Sequence, residues 1–253
     1  MGKIIAFANQ KGGVGKTTST VNIAASLGIL GRRVLVVDLD PQGNTTSGVG
    51  ISKKTLRRTM HDVLSDGMDV AEVILKTEFE NLWILPSKIS LAGSEFDLYE
   101  AEESEFQIKK VLEPLKNDFD YIIIDCPPSL GMLTVNAMTA ADGAVIPKQC
   151  EFYALEGLSQ LMITVSRIKL HYNSALNITG ILVTMYNSRL LLSVQVISEL
   201  RKHYSDKLFD QAISRNVKLS EAPGFGGPVY YHYKKSKGAE EYMAVAKELT
   251  LRI

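Results

Sequence analysis

Residues 9–18, NQKGGVGKTT, bring three glycines, two lysines and two threonines into ten positions. Glycines let successive backbone N–H groups turn toward one anion. A lysine neutralises that anion, and a following hydroxyl ligates the divalent cation that accompanies phosphates. Gly15, Lys16 and Thr17 match the end of the phosphate-loop pattern G-x-x-x-x-G-K-[ST]. The first glycine of that pattern falls at position 10, which is Gln10, and a second lysine, Lys11, precedes Gly12, Gly13 and Val14. Lys16 is expected at the β/γ-phosphates and the Thr17 hydroxyl on Mg²⁺, with Thr18 leading the loop into a helix whose N-terminus favours phosphate. Lys11 needs a separate explanation.

Two further segments supply carboxylates. RVLVVDLDPQGN ends an apolar run in Asp38 and carries Asp40 two residues on, and YIIIDCPPS ends another in Asp125. Carboxylates there can hold Mg²⁺ or its waters, or orient an attacking water. An acidic strand end alone says little, but three beside a phosphate loop point to nucleotide hydrolysis. No Ser-His-Asp set or metal-ligand cluster competes, and the four dispersed histidines read as structural.

The elements that must position these residues follow from hydrophobic periodicity. Short runs at 3–8, 33–38, 81–86, 121–125, 143–147, 178–185 and 207–213 read as strands. Most of the earlier ones are apolar at consecutive positions, as strands buried on both faces of a parallel sheet are. Helix-like segments at 17–30, 104–117, 153–172, 191–204 and 239–251 lie between them. The alternation predicts an α/β fold, a doubly wound and mostly parallel sheet flanked by helices, in a single domain spanning 1–253. The YYHY run at 230–233 reads as a strand edge.

Bulk properties narrow the setting. Hydrophobic residues make up 45% and charged residues 22% of the chain, and no run approaches the roughly 18 apolar residues of a membrane span. The IIAFA segment after Lys3 is too short for a signal-peptide core, and Ala6 stands where a myristoylation pattern wants Ser or Thr. A cytosolic protein with Cys126 and Cys150 reduced, as small buried residues, is the expectation. Zero net charge excludes a uniformly basic coat. Residues 1–150 nevertheless hold 15 Lys+Arg against 19 Asp+Glu, and residues 151–253 hold 13 against 9, which suits one basic face.

KGGVGKTT resembles the deviant phosphate loop KGGxGK[ST] of the ParA/MinD superfamily of P-loop ATPases. The resemblance continues through VLVVDLDPQGNTTSGVG, YIIIDCPPSLGMLTVNAM, PKQCEFYALEGLSQL and RNVKLSEAPGFGGPVYY, nearly the whole chain. It is greatest to the small Soj/ParA partition ATPases. It implies a P-loop NTPase fold with ATP and Mg²⁺ as ligands. It also implies a homodimer formed on ATP binding, in which Lys11 reaches the partner's nucleotide and Gly12 faces the interface. Asp40 resembles the residue that orients the hydrolytic water, and Asp125 the one that supports Mg²⁺. Non-specific double-stranded DNA is the implied target, with Arg189 and Lys218 at basic positions used in relatives, and Arg215 and Lys234, Lys235 and Lys237 extending the patch. A ParB-like centromere-binding protein is the implied partner, hydrolysis is slow without it, and the protein is nucleoid-associated in the cytoplasm. Contact with a replication initiator, known for Soj-like proteins, stays open. So does the choice between chromosome and plasmid.

Plainer readings stand beside these: a solvated loop lysine for Lys11, and solvated surface charges for Arg189, Arg215 and the 234–237 run. Ser214 departs from the family, where proline is usual, and the tail carries KKSKGAEEY where relatives often place arginine. A MinD-like membrane-associated regulator is the main alternative. An iron-protein-like reductase sharing a cluster through two cysteines, and a metabolic or tyrosine-kinase member of the superfamily, are the others.

Overall fold

Alternate residues of a strand face opposite sides of a sheet, so a run apolar at every position can be buried only between two helical layers. The computed structural model describes residues 1–151 and 154–253, without the side chains of 154–156, and has this arrangement. Its seven strands are β1 (Lys3–Phe7), β2 (Val34–Asp38), β3 (Leu75–Lys76), β4 (Leu82–Leu85), β5 (Tyr121–Asp125), β6 (Gly143–Gln149) and β7 (Asn177–Thr184), in the order β3-β4-β2-β5-β1-β6-β7. All neighbours pair in parallel except the two-residue edge strand β3.

The helices are α1 (Lys16–Ile29), α2 (Asn44–Gly48), α3 (Met60–Ser65), α4 (Leu91–Glu100), α5 (Gln107–Leu112), α6 (Met132–Ala140), α7 (Ala154–His171), α8 (Leu191–Tyr204), α9 (Val217–Glu221), α10 (Val229–His232) and α11 (Lys237–Arg252). Ile4, Ala6, Leu35, Val37, Ile122 and Ile124 join one core, which extends through α3 to α8. Ile5, Phe7, Val34, Val36 and Ile123 join the other, with Ile23 and Leu27 of α1 and Tyr242, Val245 and Leu249 of α11. The doubly wound sheet expected from the sequence is the one observed.

Three expectations change. The segment 207–213 is not a strand. It touches β7 through a single bridge, Ile181 with Leu208, and a second bridge joins Tyr186 to Ser214 just beyond both. The Asp210 N–H turns away to the Glu248 carboxylate (3.1 and 3.2 Å), which breaks the ladder. The helix expected over 104–117 is divided into a 3₁₀ turn, α5 and a second 3₁₀ turn beginning at Pro114, whose missing N–H cannot continue α-helical bonding. Residues 230–233 lie in or just after the single turn α10 and form no strand. Residue 153, the start of the expected helix 153–172, is outside the described residues. Helix α6 was not anticipated because it is buried almost all round and so shows no amphipathic period.

Helix α1 meets the β3–β4 hairpin at Gly28. A Cβ there would lie 2.2 Å from the Glu80 carbonyl oxygen, a backbone atom that cannot swing aside. Gly28→Ala should therefore destabilise the fold by about 2 kcal/mol or more despite alanine's better helix propensity. The urea midpoint checks this.

Candidate nucleotide site

The register of the sheet brings the catalytic candidates together. Phe7, Asp125 and Asp38 are aligned across β1, β5 and β2 at their carboxyl ends, the end at which doubly wound sheets bind ligands. The loop after β1 then turns through Gly13 (φ 73°) and Gly15 (φ 84°), left-handed conformations that a side chain would strain. Gly15 caps α1. Gly12, Gly13, Gly15, Lys16, Thr17, Thr18 and Asp40 line one cleft of about 360 Å³, together with Gln42, Asn44, Pro128 and Met185.

Lys16 is 7% exposed, and its ammonium donates to the Lys11 carbonyl at 3.1 Å across the loop. Burial holds its pKa below the ordinary lysine value, opposed by Asp125. Such a partly desolvated cation gains by taking a phosphate as its counter-ion. Val14 does not line the cleft: its side chain is buried, and its carbonyl accepts from the Thr184 hydroxyl at 2.8 Å. The Gly13 carbonyl accepts from the Gln149 amide at 2.9 Å.

Asp125 is fully buried beneath the loop. Its Oδ2 accepts from the hydroxyls of Thr17 (2.7 Å) and Thr45 (2.6 Å), and its Oδ1 from Thr20 (3.2 Å). Burial pushes its pKa up to about 6. Asp38 is equally buried and raised to about 7, by burial first and by Asp125 second. Its carboxylate turns into the protein, accepting from the Thr46 N–H (2.8 Å) and hydroxyl (2.7 Å) and from the Asp40 N–H (3.2 Å). Asp40 is the carboxylate of this loop that reaches the cleft. Its Oδ1 accepts from the Gln42 N–H (2.9 Å), and its carbonyl accepts from the Ser87 hydroxyl (2.9 Å). Among the described residues no three His, Cys, Asp or Glu side chains gather as a metal site. A magnesium ion suits this donor set, because Mg²⁺ takes few protein ligands and draws others from phosphate and water. Thr17, backed by Asp125, is the direct ligand available, and Asp40 lies close enough to the cleft to act through water.

Lys11 is placed differently. Its N–H is held by the Asn9 side chain at 3.0 Å, while its ammonium, half-exposed, pairs with the Glu151 carboxylate. It does not line the cleft. The DNA candidates also lie away from the cleft. Arg189 and Arg215 are exposed on adjoining segments, since the Arg215 N–H donates to the Tyr186 carbonyl at 3.2 Å. Lys218 is partly committed locally, 2.8 Å from Glu221 and 4.4 Å from the centre of the Tyr233 ring. Ser214 replaces the expected proline with two donors. Its N–H (2.8 Å) and hydroxyl (2.6 Å) both bind the carboxylate of Glu241, which is 5% exposed. Cys126 is buried as expected, whereas Cys150 is only partly so.

Sequence reasoning missed the threonines. Thr20 and Thr45 hold Asp125 and Thr46 holds Asp38, and the signal for the second pair was their position in GNTTSG directly after the acidic loop. Met185 at the cleft edge, non-glycine at φ 51°, had no sequence signal.

A glycine loop at a helix N-terminus, a buried lysine and a threonine–aspartate pair at the carboxyl ends of a parallel sheet define a P-loop nucleotide-binding protein. A family model described as an AAA domain matches residues 2–178. The sporulation initiation inhibitor protein Soj of Bacillus subtilis is 53% identical over 98% of this chain and 98% of its own length. The chromosome partitioning protein ParA of Myxococcus xanthus is 46% identical over 100% of this chain and 89% of its own. A crystal structure described as cobyrinic acid a,c-diamide synthase from Mycobacterium smegmatis, with ADP and magnesium, superposes with a TM-score of 0.87 at 38% identity. It covers 99% of this chain and 94% of that one. The chain belongs to the Soj/ParA family of partition ATPases, within the ParA/MinD superfamily.

Two measurements test the electrostatics. Asp38 and Asp125 have folded pKa values above their unfolded ones, so the stability they permit is complete below about pH 4 and lost as pH rises through about 6 to 7. The ligand-free protein should therefore show a urea midpoint that falls over this window. Ser214→Pro removes both donors from a buried carboxylate and should cost about 2–4 kcal/mol, measured by urea unfolding.

Proposed function

We propose that this chain is a DNA-partitioning ATPase. Bound ATP and Mg²⁺ join two copies face to face, the dimer binds DNA without sequence preference, and hydrolysis releases it. The observation that carries this reading is the division between the two lysines. Lys16 is buried at the cleft and would serve its own nucleotide, whereas Lys11 starts the same loop with a half-exposed side chain, outside the cleft and paired with Glu151. A compact point charge on a flexible stem suits a phosphate presented by a second copy. Mg²⁺, when bound, would neutralise charge on the β- and γ-phosphate oxygens. Asp40, held by the Gln42 N–H and by Ser87, would orient water at the γ-phosphate, and Asp125 holds the Thr17 hydroxyl in place. Gly12 supports close approach of a partner, since a Cβ there would meet only Pro128, at 3.9 Å.

Arg189, Arg215 and Lys218 would contact DNA phosphates, doubled by dimerisation, so ATP occupancy controls affinity. Slow basal turnover, stimulated by a ParB-like centromere-binding protein, completes the cycle. The relatives named for partitioning support this over the synthase reaction for which the structural neighbour is named, because they are more similar in sequence over the full chain. A MinD-like membrane role has less support. No described helix is long and apolar enough to cross a membrane, and the apolar stripe of α11 is already buried against α1.

Lys11→Ala should weaken ATP-dependent dimerisation about tenfold or more while leaving nucleotide affinity within a few-fold, since a contact to a charged group contributes roughly 1.5–3 kcal/mol. Light scattering with ATP and with ADP separates the two effects. Asp40→Ala should bind ATP and stay dimeric with phosphate release reduced about a hundredfold or more. That variant, titrated with arbitrary duplex DNA across a salt series, should bind with ATP and not with ADP. The absence of ATP-dependent binding at low salt would defeat the partition reading.

A further inference from the structure

Residues 53–58, KKTLRR, place four cations in six positions without an acid, in a half of the chain that is otherwise net acidic. The functional reading above does not use them. They follow α2 and lie outside regular helix or strand. Arg58 is committed to Glu72 at 2.5 Å. Lys53 donates to the Gln42 carbonyl at 2.7 Å, which fixes the start of the run beside the Asp40 loop. Lys54 and Arg57 are exposed and have no acidic partner among the described residues.

The placement of this run matters more than its charge. The turn just before it is seated on the C-terminal part of the chain: a Cβ on Gly50 would lie 2.9 Å from the Gly226 carbonyl oxygen. Gly226 connects the turn after α9, which carries Lys218, to α10, which leads into Lys234 and Lys235. The turn that leads into the run therefore packs against the link between the element that carries Lys218 and the one that leads into Lys234 and Lys235. The run offers cations without an exposed aromatic or large apolar anchor, since Leu56 is partly buried. A protein partner would need such an anchor at the centre of its interface, whereas a phosphodiester backbone needs only cations spaced along its path.

We propose that Lys54 and Arg57 form a second phosphate-binding strip for duplex DNA, adding to the basic positions Arg189, Arg215 and Lys218. This rests on the DNA-binding reading given above. The test compares the full-length protein with the Lys54→Ala/Arg57→Ala double variant. Fluorescence anisotropy would follow ATP-bound protein on an arbitrary duplex between 50 and 200 mM salt. Removal of two phosphate contacts from each copy of the dimer should make the log–log salt slope shallower by about 3 to 4 and lower affinity about tenfold or more at the low-salt end. ATP-dependent dimerisation should be unchanged, and Lys54→Arg/Arg57→Lys, which keeps both charges, should keep the slope. An unchanged slope and affinity in the alanine variant, with Arg189→Ala still weakening binding, would overturn the strip alone. Failure of the unsubstituted protein to bind DNA with ATP would overturn both the strip and the partition reading.

Discussion

The buried carboxylate of Asp125 is the constraint on which the site depends. A carboxylate at the end of a central strand, out of reach of water, is tolerable only if its oxygens are hydrogen-bonded. Three threonine hydroxyls do this, two from α1 and one from α2. The helix that follows the phosphate loop and the helix that follows the acidic loop are thereby pinned to the same strand. Asp38 repeats the device one strand over, binding Thr46 in α2 and the backbone of Asp40. Position is thus specified from below by buried acids, beneath the groups that face the cleft.

This division separates two kinds of carboxylate that look alike in sequence. Asp38 and Asp40 are two residues apart, and either could be given the water-orienting role from the pattern alone. Burial decides between them. Asp38 is enclosed, with its pKa raised to about 7, and spends its oxygens on backbone and threonine. Asp40 lies at the cleft, with one oxygen held by Gln42. An acid enclosed by the protein and an acid that lines the cleft are distinguished by what surrounds them.

Much of this was legible in the sequence because it rests on local patterns. Consecutive apolar residues in VLVVD and YIIID announced doubly covered parallel strands, and the glycine loop and strand-end acids announced the cleft. What was not legible depends on distant contacts. The run at 207–213 has strand-like composition, but the Asp210 N–H goes to Glu248 in the last helix, which no local pattern records. Helix α6 has no polar face to mark it. The union of Ser214 with Glu241, and of Gly50 with Gly226, joins residues far apart in the chain. The roles of Thr20 and Thr45 follow from register, which appears only once the strands are ordered.

The edges of the sheet limit how copies of this chain can associate. One edge is the two-residue strand β3, and the other, β7, is covered by the irregular 207–213 segment, itself tied down through Glu248 and Arg252. Neither presents a row of free N–H and C=O groups on which another strand could be templated. Association must therefore run through loops and helices, such as those around the cleft, and not through backbone pairing. An assembly built that way can be taken apart by chemistry at the cleft, while a continuous intermolecular sheet would be indifferent to it.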